Sequence, residues 1–430
     1  MIRRGPRQAS QSWDDPQMML SVDEARARIL SAFSPLQPVT LPLLDALGLV
    51  LAEDIQSPIN IPPFRNSAMD GFALRAGDTV PATPASPLTF AVRGEIAAGQ
   101  APSSALAPGT AMRIMTGAPL PQGADAVVRF EEVIEHDTTM GDRILISRAA
   151  RVAENVREAG EDVVAGMTVV TAGTAISPML VGLLAAIGRS TVRVVRRPIV
   201  AILSTGDEVV DAGVDLGPAQ IRNSNGPMLA ALARQFGAEP RQLGIALDSE
   251  AAIRERLSAS GEADLLVTSG GVSVGDFDVV KQVLQRDGRI DLWQVRMKPG
   301  KPLAFGSLGT TPLLGLPGNP AAAAVAFSQF GRPAIRTMLG LSRVAPRIVR
   351  ARLDTAIENR GNRRHFVRGV IRIEQNDRVV RPAGSGKGGA LSGLAEANCF
   401  IIVPEDCERA LSDECVDVEL FEDTSLEQLG

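Results

Sequence analysis

The sequence predicts a multidomain chain of the α/β and β class, and three observations carry that expectation. It has 430 residues, more than the roughly 100–200 of an ordinary domain, so two to four domains are expected. Between Pro198 and Leu341 apolar runs alternate with amphipathic stretches, the βαβ pattern of a parallel, doubly wound sheet. From Ile61 to Ile146 and again after Pro346 the texture is one of short apolar runs between Pro, Gly and polar turns, which reads as β structure.

In chain order, residues 1–17 read as a loose tail, basic at first but without the apolar core of a secretory signal. "SVDEARARILSAF" predicts an amphipathic helix, because Ser21 and Glu24 form a Ser-x-x-Glu capping box ahead of Ala25, Ile29, Leu30 and Phe33. "LPLLDALGLVLAEDI" predicts a short second helix and then an extended segment. "SPMLVGLLAAIG" predicts a helix opened by Ser177 and Pro178 and stopped at Gly188.

Within the α/β region, "RPIVAILSTGDEVV", "ADLLVTSGG" and "TPLLGLPGNP" predict strands. "NSNGPMLAALARQFG", "FDVVKQVLQRDG" and "AAAAVAFSQFGRPAIRTMLG" predict helices, and "DLWQVRMKPGKPLAFG" is extended. "RIVRARLDTAI", "HFVRGVIRIEQ", "RVVRPAG" and "CFIIVPED" alternate at period two and predict a small all-β C-terminal domain.

Hydrophobic residues make up 45% and charged residues 22%, so a core forms without staples. The net charge of −5 argues against a broad nucleic-acid surface, which needs a basic excess. No apolar run approaches a membrane span, and a cytoplasmic address is expected. Cys399, Cys407 and Cys415 lack a Cys-x-x-Cys pair, and only His136 and His365 offer imidazole. Neither a zinc site nor a disulfide framework is expected.

Ligands of open α/β sheets bind beyond the carboxyl ends of the strands, and here those ends carry the unusual residues. They are "STGDE" (Ser204, Thr205, Gly206, Asp207, Glu208), "SGGVSVGDFD" (with Ser269, Gly270, Gly271, Ser273, Asp276 and Asp278), "MKPGKP" (with Lys298 and Lys301) and "LPGNP" (with Pro317, Gly318, Asn319 and Pro320). Glycines let backbone amides approach an anion closely. Acids beside such a cradle make sense if a divalent cation bridges them to a phosphate, and magnesium takes carboxylate, phosphate and water oxygens. Glu208, Asp276 and Asp278 are the candidate ligands, with Asp207 less favoured. Each motif alone is equally a tight turn or a helix cap, but four at one sheet edge point to a ligand. They match neither a Walker A loop nor the Rossmann glycine spacing.

Nine motifs in order, "NSAMDGFAL", "GEIAAGQ", "RIMTGAPLPQGADAVV", "REAGED", "STGDE", "NSNGPML", "TSGGVSVGDFD", "KPGKPLAFG" and "GLPGNP", resemble the molybdopterin molybdenumtransferase family, known as MoeA and as the E domain of gephyrin. The resemblance runs from about Ser21 to the C-terminus. It implies a helical and extended domain I from 18–60 and 147–190, an inserted β-rich domain II over 61–146, a molybdopterin-binding-like α/β domain III over 191–341 and a C-terminal β-barrel over 342–430.

The resemblance also implies an elongated homodimer, with the cleft between domain III of one protomer and domain II of the other, and a molybdopterin adenylyltransferase as partner. The implied reaction inserts molybdate into adenylylated molybdopterin and releases AMP with Mg2+. Carried over residue by residue, the site takes Asp70 and Thr116 from domain II. It takes Glu208, Asp248, Asp278, Lys298, Lys301, Pro317 and Pro320 from domain III, and Arg363 and Ser392 from domain IV. Phe72 stands where the family commonly has Tyr, Ala322 where many members have Ser, and Gln294 where a Lys is usual. A Mg-dependent nucleotide pyrophosphatase on the same central domain and a non-catalytic, gephyrin-like scaffold are the competing readings.

Overall fold

The computed structural model describes residues 19–137, 142–270, 282–283, 286–375, 377–384 and 391–421. By contacts the chain divides into two compact units, Thr40–Arg193 and Met1–Val39 with Val194–Gly430.

The Thr40–Arg193 unit carries the β-rich region. Six strands form one sheet in the spatial order Ala126–Arg129, Gly71–Leu74, Thr110–Ile114, Leu88–Ile96, Arg143–Ile146 and Glu135–Asp137. Alternation sends Phe72 and Leu74 into one core cluster with Phe90, Val128 and Ile144. It sends Ala73 into the other with Met112, Ile114 and Val127. Gly71 has to be glycine, because a Cβ there would strike the Val128 carbonyl oxygen. The helix expected in "LPLLDALGLV" is not formed, and Leu43 to Gly48 is a run of turns. Between Pro42 and Gly48, whose φ is +75°, too few residues remain to repay helix nucleation. Helix Pro178–Ala186 forms as expected, with the Ser177 hydroxyl accepting from the Leu180 N–H at 3.2 Å.

In the other unit, helix Val22–Leu30 is closed by the expected capping box. Ser21 Oγ accepts from the Glu24 N–H at 3.1 Å, and the Glu24 carboxylate accepts from the Ser21 N–H at 2.8 Å. The six-stranded central sheet has the order Glu239–Ala246, Ile199–Thr205, Leu265–Ser269, Thr311–Leu316, Pro302–Leu308, Gly288–Gln294. Its first four strands are parallel. The last two add an antiparallel hairpin to that parallel core, an element that apolar alternation alone does not foretell. Helix Glu250–Ser258 presses Ile253 and Leu257 onto Leu203, Leu243 and Leu266. Each such side chain, fully buried, contributes about 1.5–3 kcal/mol. The helix expected over "FDVVKQVLQRDG" lies mostly outside the described residues. The "AAAAVAFSQFGRPAIRTMLG" helix is continuous but has a π-turn at Phe327–Gly331.

C-terminal to these, five strands close into a barrel: Arg364–Glu374, Asp377–Pro382, Ile348–Leu353, Cys415–Leu420, Cys399–Val403, and back to the first. Closure leaves no exposed edge. Cys415–Leu420 is a strand beyond those expected, although Val416, Val418 and Leu420 do alternate into the core. A two-residue strand, Met297–Lys298, adds to the barrel beside Arg364 and His365. The three cysteines are free thiols.

Candidate active site at the strand ends of the central sheet

The register gathers the predicted turns at one edge. Ser204 pairs with Ser269, Ser269 with Leu316, and Thr205 with Ala246. The three strands therefore end side by side, before Gly206, Gly270 and Pro317. The hairpin brings its 295–301 loop to the same edge, because Gln294 pairs with Pro302 and Ala304 with Gly315. Lys298 and Lys301 thus stand beside the ends of the parallel strands although neither lies on one.

Local geometry explains the glycines. Gly206 and Gly270 adopt φ of +138° and +97°, a region costly for other residues. A Cβ on Gly270 would lie 2.9 Å from both the carbonyl oxygen and Oγ1 of Thr205. No helix follows Gly206, so "STGDE" is not a helix cap. Asn319 caps helix Pro320–Ala326, its Oδ1 accepting from the Ala321 and Ala322 N–H groups at 3.0 and 3.3 Å. Ala322 is buried in the first turn of that helix.

Two residues of "NSNGPML" tie the turns to each other. Asn225 Nδ2 donates to Ser269 Oγ at 2.7 Å and to the Gly318 carbonyl at 2.8 Å. Asn223 Oδ1 accepts from the Gly226 N–H at 2.9 Å and from Ser204 Oγ at 3.0 Å. Neither asparagine stands out in the sequence, because a neutral amide gives no charge signal. The motif itself was the available clue. Thr205 Oγ1, Thr268 Oγ1 and Asn225 Oδ1 are buried with no hydrogen-bond partner among the described residues. Buried polar atoms are ordinarily satisfied, and these three lie on or beside the same strand ends.

Positive charge converges from the barrel side. His365 is pushed down to about 4, first by burial and then by Lys298, Arg363 and Arg368 around it. Lys298 pairs with His365 across the two strands, and Arg363 and Arg368 flank that imidazole along the chain. Ser392 is exposed on helix Leu391–Glu396. Beside it, a Cβ on Gly393 would lie 3.4 Å from the Arg368 guanidinium.

Negative charge gathers at the "STGDE" turn. Glu208 folds back so closely that a Cβ on Gly206 would lie 2.6 Å from its carboxylate. Asp248 is held above the usual carboxylate range by burial, then by Asp207 and Glu208. Its N–H donates to Asp207 Oδ1 at 2.9 Å. Helix Glu250–Ser258 takes its cap from Ser249, which accepts from the Ala252 N–H at 3.3 Å. Asp248 is therefore free of the capping role that its position suggests. Gly271, Ser273, Asp276 and Asp278 lie outside the described residues. Among the described residues no three His, Cys, Asp or Glu side chains close into a metal-holding group. The described donors are nevertheless all hard carboxylate oxygens crowded enough to repel one another, the chemistry a magnesium ion relieves, and in that respect they fit it.

In the Thr40–Arg193 unit, Asp70 and Thr116 form a second acidic feature. Asp70 Oδ1 accepts from both the N–H and the hydroxyl of Thr116 at 2.7 Å. Those bonds hold its carboxyl below the usual range, with Arg113 adding to the effect. Phe72 packs edge-on to Phe130 at 5.1 Å within the core.

A mostly parallel sheet flanked by helices, with glycine turns and buried polar atoms at its strand ends, defines a doubly wound α/β protein. Sequence comparison sharpens that class. Profiles described as "MoeA N-terminal region (domain I and II)", "Probable molybdopterin binding domain" and "MoeA C-terminal region (domain IV)" match residues 20–188, 201–337 and 350–421. Molybdopterin molybdenumtransferase 2 of Mycobacterium tuberculosis is 38% identical over 90% of this chain and 96% of its own. Molybdopterin molybdenumtransferase of Haemophilus influenzae is 36% identical over 94% and 99%, and that of Staphylococcus epidermidis 35% over 95% and 97%. The crystal structure of the molybdopterin biosynthesis MoeA protein of Pyrococcus horikoshii superposes with a TM-score of 0.80 at 29% identity, over 94% of this chain and 100% of its own. The chain belongs to the molybdopterin molybdenumtransferase (MoeA) family of enzymes. Among the described residues no helix is long and apolar enough to cross a membrane.

Proposed function

We propose that the chain inserts molybdate into adenylylated molybdopterin and releases AMP, with Mg2+ as the divalent ion. The observation that carries this reading is the meeting, at one sheet edge, of glycine turns, Lys298 with Arg363, and the Asp207–Glu208–Asp248 cluster. Catalysis of this kind is mostly positioning and charge neutralisation.

In this reading the amides and hydroxyls of Ser204 to Gly206 and Ser269 to Gly271, with Ser273, hold the anhydride. Lys298, Lys301 and Arg363, together with the turn from Pro317 to Pro320, hold the oxyanion, and Ser392 adds a contact. Glu208, Asp276 and Asp278 hold magnesium, which when bound supplies charge neutralisation at the anhydride. Asp248, the described acid at this edge most ready to keep a proton, orients the attacking oxygen. Asp70 and Thr116 serve the site of a partner protomer in a homodimer, and domains I to IV follow the division given by the resemblance. The adenylylated substrate comes from a molybdopterin adenylyltransferase in the cytoplasm.

The test is AMP release from adenylylated molybdopterin with molybdate and Mg2+ added singly and together. Release that needs both supports the reading. Release from plain dinucleotides would point to a pyrophosphatase, and a folded protein without turnover to a scaffold.

A further inference from the structure

We propose that Asn225 is a positioning residue of the anhydride-binding edge, acting through the hydroxyl of Ser269; the inference rests on the functional reading above. Asn225 opens helix Asn225–Gln235 and is 8% exposed, and Ser269 is 4% exposed. The carbonyl of Gly318 can only accept a hydrogen bond, so its 2.8 Å contact fixes which end of the Asn225 amide is nitrogen. That same nitrogen donates to Ser269 Oγ at 2.7 Å. A serine hydroxyl has one hydrogen to give, and with its oxygen occupied as an acceptor, that hydrogen is directed to a different acceptor. Among the described residues it has none. An anionic phosphate oxygen at the strand end is the acceptor that this arrangement suits.

The other end of the amide defines what lies beside that oxygen. Asn225 Oδ1 is buried and has no partner among the described residues. A bare carbonyl oxygen repels an anion and attracts an N–H or O–H. The edge therefore takes a ligand that presents an anionic oxygen next to a hydrogen-bond donor, as a phosphate beside a hydroxyl-bearing or N–H-bearing ring does. Asn225 also ties the Ser269 strand end to the Pro317–Pro320 turn through Gly318, so one side chain sets the spacing of two walls of the cradle.

The experiment measures AMP affinity by calorimetry, with Mg2+ present, for wild type, Asn225→Ala, Ser269→Ala and the double variant, alongside thermal melting of each. AMP is expected to bind about tenfold more weakly to Asn225→Ala, as loss of a buried hydrogen-bond partner implies. The double variant is expected to bind no worse than Ser269→Ala within about threefold, the non-additivity of two residues acting as one unit. Asn225→Ser introduces no buried charge at the helix start, is too short to bridge Ser269 and Gly318, and is expected to match the alanine variant in affinity. It keeps the test decisive if Asn225→Ala fails to fold. Unchanged affinity in the folded variants, or losses that simply add, would overturn the proposal alone. Wild-type protein that binds no AMP would overturn the functional reading and this inference with it.

Discussion

Asp70 and Asp248 are both acids in exposed bends, and their surroundings drive them in opposite directions. Asp70 is exposed and receives two hydrogen bonds from one threonine, which favour its charged form. Asp248 is exposed too, but local desolvation and then the neighbouring acids Asp207 and Glu208 favour its proton, and no side-chain donor among the described residues reaches it. The first carboxylate is already satisfied by its own chain and serves as a fixed negative point. The second is poised for an outside partner, and a divalent ion would convert its repulsion into attraction.

Removing the unsatisfied acids gives the largest effect expected from this contrast. Glu208→Gln and Asp248→Asn are each predicted to lower the rate of AMP release by about 10²–10³-fold, the scale of a lost electrostatic group in an active site, with far-ultraviolet circular dichroism unchanged. A fall of less than about threefold in both would remove the acids from the chemistry. Thr116→Val, which leaves the Thr116 N–H bond to Asp70 in place, is predicted to cost about tenfold or less in the same assay. Equal losses at both places would erase the distinction.

Stability sharpens the comparison on a smaller scale. The folded carboxyl of Asp248 titrates above its unfolded value, so its penalty is full above the raised value and is relieved as pH falls through it. Asp248→Asn is therefore predicted to raise the neutral-pH melting temperature by about 1 °C, and the gain should fade in acid. Asp70 titrates below its unfolded value, so its contribution is present above the ordinary carboxylate range and is lost as pH falls through the lowered one. Asp70→Asn should then melt below wild type at neutral pH and match it at the most acidic pH. Millimolar Mg2+ is predicted to raise the melting temperature of wild type more than that of Glu208→Gln, by mass action on the folded state. An equal response in both would take Glu208 out of the metal site.

Much of this was legible in the sequence because it is written locally. The Ser21–Glu24 capping box, the Ser177–Pro178 helix start and the glycines at the strand ends follow from a few adjacent residues. What escaped depends on partners distant in sequence. The pairing of Asn225 with Ser269 spans 44 positions, and no periodicity reports it. The approach of Lys298 to His365 depends on the pairing of Met297–Lys298 with Arg364–Glu374, far apart in sequence. The antiparallel hairpin of Gly288–Gln294 and Pro302–Leu308 was legible as extended chain, but strand direction is decided by sheet pairing. No helix forms over "LPLLDALGLV" despite its local propensity, because too few residues separate Pro42 from Gly48 to repay nucleation.

Lys298 is hydrogen-bonded alongside Arg364 and His365, on a strand only two residues long. The reach of this lysine is thereby gauged by the last fifth of the polypeptide, which contributes no strand to the sheet it serves. A deletion beyond Leu341 would leave the four parallel strands of the central sheet in place and still strip Lys298 of its strand partner, so the C-terminal module acts as a jig for a tool mounted elsewhere.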